Sequence, residues 1–167
     1  MVPVTDPHEL AVDTPIGRFE WRSASDPTGQ RLCYLMVREE DQVLAGFLMV
    51  ENPDLVDEET RRQGDPVDRR IDTIYIHPDF AGKGLGKAMG LAAKAHRLFD
   101  SHSLDMTPAG RAWVRSIGDT PPEDTKEPDL QKFAGGQKLQ YREFLKSNHD
   151  LKPPTESRGF GPDLARD

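Results

Sequence analysis

Between residues 79 and 90 the chain reads DFAGKGLGKAMG. Gly82, Gly84 and Gly86 stand at alternate positions, with Lys83 between the first two and Lys87 behind the last. A strand-like stretch, IDTIYIHP (71–78), precedes them, and a proline-free helical pattern follows. Glycines let a backbone approach a ligand closely. Unpaired amides at a helix start point outward with the positive end of the dipole. The backbone of Gly82, Lys83, Gly84, Leu85, Gly86 and Lys87, with its two ammonium groups, therefore suits an anion such as a phosphate or pyrophosphate. The same spacing also suits a tight strand-to-helix turn that needs glycine only for its backbone angles. Two nucleotide motifs fail on the residues. A P-loop requires G-x-x-x-x-G-K-[ST], but Ala81 and Ala88 occupy two of its fixed positions. The dinucleotide fingerprint requires glycine where Lys87 or Met89 stands.

Other reactive residues are sparse. Cys33 is the single cysteine, which rules out a disulfide framework and fits a reducing, cytoplasmic setting. It lies in an apolar run and reads as a small hydrophobe. His8, His77, His96, His102 and His149 are scattered without metal-ligand spacing, so no metal is expected. His77, just before the glycines, reads either as a base or, more simply, as a surface turn residue. Asp72 sits inside an otherwise apolar strand. Such a carboxylate needs hydrogen bonds or a solvated cleft, and strand alternation also allows it a plain solvent-facing position. A net charge of −7 argues against a sequence-independent nucleic-acid binder. No run of about 18 apolar residues suggests a membrane span, and MVPVTDPHEL lacks the basic and apolar regions of a signal peptide.

The elements that must position these residues follow from pattern. Residues 1–17, proline-rich at first, read as an N-terminal arm. RFEWRS (18–23), RLCYLMVR (31–38) and VLAGFLMVE (43–51) read as strands. The last two, joined by EEDQ, are expected to be antiparallel neighbours covered on both faces. Residues 52–70 read as a long charged surface loop whose Glu58, Glu59, Arg61 and Arg62 form a solvated face. In the strand over 71–78, Tyr75 faces away from Ile74 and Ile76. Apolar residues from Leu85 to Phe99 recur at helical spacing. SHSLDM (101–106) is a short exit with room for a brief strand. Thr107 as cap, Pro108 as first residue and Gly118 as stop predict a helix over 107–118, with Trp113 in the core. Residues 119–129 read as a proline and acid linker. LQKFAGGQKLQYREFLK (130–146) reads as a hairpin turning at Gly135-Gly136 or as a helix from about Gln137, and 152–167 as a tail.

The stretch IDTIYIHPDFAGKGLGKAMGLAAKA (71–95) resembles motif A of the GNAT N-acetyltransferase superfamily: strand, proline, then [QR]-x-x-G-x-[GA] opening a helix. The resemblance implies an α/β (α+β) fold: a mixed, mainly antiparallel central sheet with a splayed strand pair and helices on both faces. It implies acetyl-CoA as co-substrate. The pyrophosphate would lie on Gly82–Lys87, and the pantetheine arm against Ile74, Tyr75 and Ile76. It implies direct transfer of acetyl to a small amine or a protein amine, with Asp72 at the position of a water-mediated base. The chain departs from the pattern in four places. Ala81 replaces the opening Gln/Arg. Only residues 24–31 separate two strands usually linked by two helices. Val114 stands where many members carry the tyrosine that protonates the thiolate, which leaves Tyr141 as a substitute acid if the C-terminal segment folds back. A linker replaces the closing strand pair. The domain reading is arm 1–17, core 18–118 and extension 119–167. The alternative is a catalytically idle module of this fold in a homo-oligomer or larger assembly, held through its arms and virion-associated if viral.

Overall fold

The computed structural model describes residues 10–53, 68–103, 105–123 and 126–154. The readings for 1–9, 54–67 and 155–167, including the cluster Glu58 to Arg62, lie outside these residues.

The chain opens with a tight hairpin. β1 (Leu10–Thr14) pairs antiparallel with β2 (Gly17–Ala24), and the Thr14 hydroxyl donates to the Gly17 carbonyl at 2.7 Å. The expected arm over 1–17 is thus corrected from Leu10 onward. Those residues are a sheet strand whose Leu10 joins the core. β3 (Arg31–Arg38), β4 (Val43–Glu51) and β5 (Ile71–Ile76) extend a five-stranded antiparallel sheet in the order β1-β2-β3-β4-β5. The hairpin of β3 and β4 has the predicted sense. Between β2 and β3 stands a short turn, in which Asp26 accepts from the Thr28 hydroxyl and the Thr28 and Arg31 amides. No helices intervene there.

Every residue of β4 except Glu51 is buried, because both faces are covered. On one face lie Phe19, Trp21 and Leu48 under α1 (Leu85–Ala95) and α2 (Pro108–Ser116). Leu85, Met89 and Ala93 make the stripe of α1 that meets the sheet, and the Trp21 indole donates to the Met89 carbonyl at 2.9 Å. On the other face Cys33, Leu35 and Phe47 lie under α3 (Leu130–Ser147), through its buried Tyr141 and Phe144. Burial pushes the Cys33 thiol up to about 12, which keeps it protonated and inert. Among the described residues no helix is long and apolar enough to cross a membrane.

Three boundaries differ from the pattern. α1 ends at Ala95, not Phe99. Arg97 takes a left-handed φ of 56°, and the amides of Arg97 and Leu98 close on the carbonyls of Lys94 and Ala93. Glycine is the usual residue at that position, so the stop carries no sequence signal. Residues 130–147 form one helix rather than a hairpin or a helix from Gln137, with Asp129 capping the amides of Gln131 and Lys132. The expected tail begins packed. Lys152 exchanges backbone hydrogen bonds with Leu44 and Gln42 at 2.8 and 3.0 Å, and Leu151 and Pro154 are buried.

Gly135 and Gly136 sit in the exposed middle of α3, where an added Cβ at either would meet nothing within 4 Å. Neither has a positive φ. Glycine costs roughly 1 kcal/mol relative to alanine in such a position. The double change Gly135→Ala/Gly136→Ala is therefore expected to stabilise the protein by about 1–2 kcal/mol and raise Tm by about 2–8 °C in a calorimetric scan.

Candidate active site

β5 is the edge of the sheet, and the site is built along it. The Ile71 amide donates to the Ser101 carbonyl at 2.9 Å, and Arg70 and Ser101 form a parallel bridge. Beyond this point the two segments part. Residues after Ser101 are drawn toward the linker, where Asp105 bridges Lys126 and the Met106 amide donates to the Lys126 carbonyl at 2.9 Å. The expected brief strand in 101–106 is thus reduced to isolated bridges. A cavity of about 550 Å³ occupies the gap. Ile74 and Ile76 wall one side, His102 and Trp113 another, and Phe133 and Gln137 of α3 the roof.

Two backbone features shape β5. Met49 pairs with Thr73 and Val50 with Ile71, so Asp72 is the extra residue of a bulge. Farther along, the His77 amide donates to the Ala45 carbonyl at 2.8 Å, so alternation turns the polar groups of Ile74 and Ile76 to the outer edge. The Ile74 carbonyl is held there by Gln137, whose side-chain amide donates to it at 3.0 Å and to the Thr73 hydroxyl at 2.9 Å. Tyr75 faces the opposite side of the sheet from Ile74 and Ile76, stacked on Phe47 at 5.3 Å.

After β5, Pro78–Phe80 make one turn of 3-10 helix and the glycine loop follows. Gly82 and Gly84 have φ of +74° and +79°, and an added Cβ at either would meet nothing within 4 Å. Left-handed backbone with open space on its flank is what a cradle requires. Gly84 is the N-cap of α1 and leaves the Leu85, Gly86 and Lys87 amides ahead of the first helical bond, from Ala88 to Gly84. No acidic residue lies in that first turn, and Lys83 and Lys87 are exposed beside it. Gly86 has a different cause. An added Cβ would stand 2.5 Å from the Ile76 side chain, and the Gly86 carbonyl accepts from the Trp113 indole at 2.9 Å. Ala81, the residue before the glycines, lines the cavity.

Asp72 lies where this cavity meets a second one of about 440 Å³, which Arg31, Asp105 and Lys132 also line. Its carboxylate accepts from the Arg31 side chain at 2.8 Å and is 38% exposed. His77 is not a surface turn residue. It is 5% exposed, and its Nδ1 accepts from the Asp79 amide at 3.1 Å. Burial holds its pKa below the usual imidazole range despite Asp79 nearby. Tyr141 is buried against the rings of Tyr75 and His77 at 5.6 and 5.4 Å, and its hydroxyl donates to the Leu44 carbonyl at 2.6 Å. Burial raises its pKa. Neither His77 nor Tyr141 lines either cavity. Val114, at the position of the absent tyrosine, is buried and apolar.

Residues 4–104 match the acetyltransferase (GNAT) family. The match covers more than half of the chain, and the chain belongs to that family. The general reaction of that family is acetyl transfer from acyl-CoA. No curated protein and no solved structure matches the chain. α2, the linker and α3 lie beyond the matched segment.

Sequence reading missed Gln137 and His102. Gln137 reaches Ile74 across a sequence separation of 63 residues. No local periodicity encodes that contact. His102 carried a weak signal, an imidazole in the segment following motif A.

Proposed function

We propose that the protein is an acetyl-CoA-dependent N-acetyltransferase acting on a small or protein amine. The observation that carries this reading is the left-handed glycine loop with the free amides of α1, which follows directly on Ala81 of the cavity lining beside β5. Pyrophosphate would take the Leu85–Lys87 amides, with Lys83 and Lys87 adding charge. The pantetheine arm would lie along the outer edge of β5, taking the Ile74 carbonyl as Gln137 releases it. Acetyl-CoA supplies the activated acyl group. The protein supplies position, which for two reactants held in line replaces a bimolecular encounter.

The second cavity is read as the acceptor side. Asp72 at the junction draws in an ammonium group and takes its proton through water, leaving the neutral amine that can attack. On this reading residues 119–154 belong to the functional unit, because α3 roofs the cavity. Tyr141 acts as a strut beneath β5 rather than as the acid, since its proton is committed to Leu44. Tyr141→Phe is therefore expected to cost about 1–2 kcal/mol of stability in denaturant unfolding and to leave kcat unchanged.

Calorimetric titration with acetyl-CoA tests the reading. Binding is expected in the micromolar range, near roughly −8 kcal/mol. Thiol release should then appear with members of a primary-amine panel. Absence of acetyl-CoA binding would sink the enzyme reading and return the catalytically idle, assembly-forming module.

A further inference from the structure

His102, on the cavity wall, forms a pair with Asp119 behind it that the reading above leaves without a task. His102 directly follows Ser101, the last residue paired with the start of β5, so it stands where the two segments part. Asp72 lines the same cavity. The imidazole is packed between Phe99 (5.2 Å) and Trp113 (6.0 Å), with its side chain 10% exposed. Its Nε2 lies 2.7 Å from one Asp119 oxygen. The other Asp119 oxygen accepts from Lys94 at 2.5 Å, and Lys94 also donates to the Ile117 carbonyl. Asp119 is fixed in turn by its own amide, which donates to Val114, and by Gly118 at φ +84°. Nδ1 makes no hydrogen bond among the described residues.

An imidazole held through one nitrogen by a fixed carboxylate keeps its N–H there and presents a lone pair at the other nitrogen. The carboxylate also stabilises the imidazolium that forms when Nδ1 takes a proton. Acyl transfer from a thioester needs such a group twice, once to accept and once to release. The other ionisable side chains on the cavity wall are Asp72, Asp105 and Tyr75. Asp72 is paired with Arg31, Asp105 is exposed on the same segment as His102, and Tyr75 stacks on Phe47 on the far face of the sheet. Val114 cannot supply a proton, and Tyr141 is outside the cavity.

We propose that His102, oriented by Asp119, carries the proton from the acceptor amine to the coenzyme A sulfur in place of the tyrosine absent from α2. The inference rests on the acetyl-transfer reading. The neutral amine attacks the thioester carbonyl carbon and the C–N bond forms. Nδ1 takes one proton from that nitrogen. The C–S bond breaks with its electron pair on sulfur, and Nδ1 returns the proton to it. The products are the acetamide and the free thiol, and the imidazole ends as it began. Asp72 acts earlier, on the incoming ammonium.

Two measurements test this. The first uses wild type, His102→Gln and Asp119→Asn, with acetyl-CoA titrated by calorimetry and thiol release followed over the amine panel. His102→Gln should lose about 100-fold or more in kcat at a temperature where it stays folded, with its acetyl-CoA Kd unchanged and the limb due to His102 gone from its pH profile. Asp119→Asn should lose less in kcat and keep that limb. The second needs no acceptor. Diethyl pyrocarbonate should modify His102, and acetyl-CoA should prevent this, as mapped by mass spectrometry. Where no panel amine is accepted, this protection decides. Transfer by His102→Gln within about threefold of wild type, far below the effect of losing an acid–base group, would overturn the inference while the acetyl-transfer reading stands. So would modification indifferent to bound acetyl-CoA. A wild-type protein that binds no acetyl-CoA overturns both.

Discussion

Gly84→Glu raises the acetyl-CoA Kd by at least about 100-fold, some 2.7 kcal/mol of binding, and leaves the protein folded. Two effects combine. Gly84 has φ +79°, and a side chain in left-handed backbone costs about 1–2 kcal/mol. The space around its Cα is open, so the new side chain meets no clash. Its carboxylate stands beside the Leu85–Lys87 amides and the positive end of α1. There it returns about 0.3–1 kcal/mol to the helix. The fold thus loses little, and the loop gains an internal anion at the proposed pyrophosphate position. Gly84→Ala separates the two effects, because it carries the strain without the charge. It should bind acetyl-CoA only several-fold more weakly, by calorimetry beside a Tm for each variant. Equal binding by Gly84→Glu and wild type would remove the loop from the donor site.

The same residues show why this part of the molecule was legible. A strand, a proline, positive-φ glycines and a helix are local devices, and each has a residue signature. The antiparallel hairpin of β3 and β4 and the capped helix after Thr107 belong with them, as Thr107 accepts the Gly110 amide at 2.9 Å. What sequence reading missed is held by distant partners or lacks its usual residue. α3 was obscured by a glycine pair its packing does not require, and it is anchored by Tyr141 and Phe144 against strands nearly a hundred residues earlier in the chain. The stop of α1 falls on arginine rather than glycine. His77 looked exposed beside a loop, yet Phe80 and Tyr141 cover it. Asp72 was legible as an oddity in an apolar strand, but its Arg31 partner was not.

Gly46→Ala is expected to destabilise the protein by about 3 kcal/mol and lower Tm by about 6–12 °C. Gly46 pairs with Ile76, and an added Cβ would overlap the Tyr75 carbonyl oxygen and crowd the Ile76 Cα at 3.2 Å. These are backbone atoms of a hydrogen-bonded strand, so no rotamer relieves the overlap. Gly46 also follows the bulge at Ala45, where Met36 pairs with Gly46 and Val37 with Leu44. That bulge shifts which β4 residues face each core, so the strand cannot slide without driving Phe47 and Leu48 into the wrong cores. The relief left is to push β5 outward, into the cavity. Gly90→Ala is the contrast. Its Cβ would meet Ile117 and Trp113 side-chain atoms at 2.8–2.9 Å, and side chains yield more cheaply, so about 1–2 kcal/mol is expected. Because β5 carries Asp72, the Ile74 edge and the entry to the glycine loop, Gly46→Ala should also weaken acetyl-CoA binding at temperatures where the variant remains folded. A lowered Tm with unchanged Kd would mean that the loop alone holds the donor and that the strand edge contributes nothing to its binding.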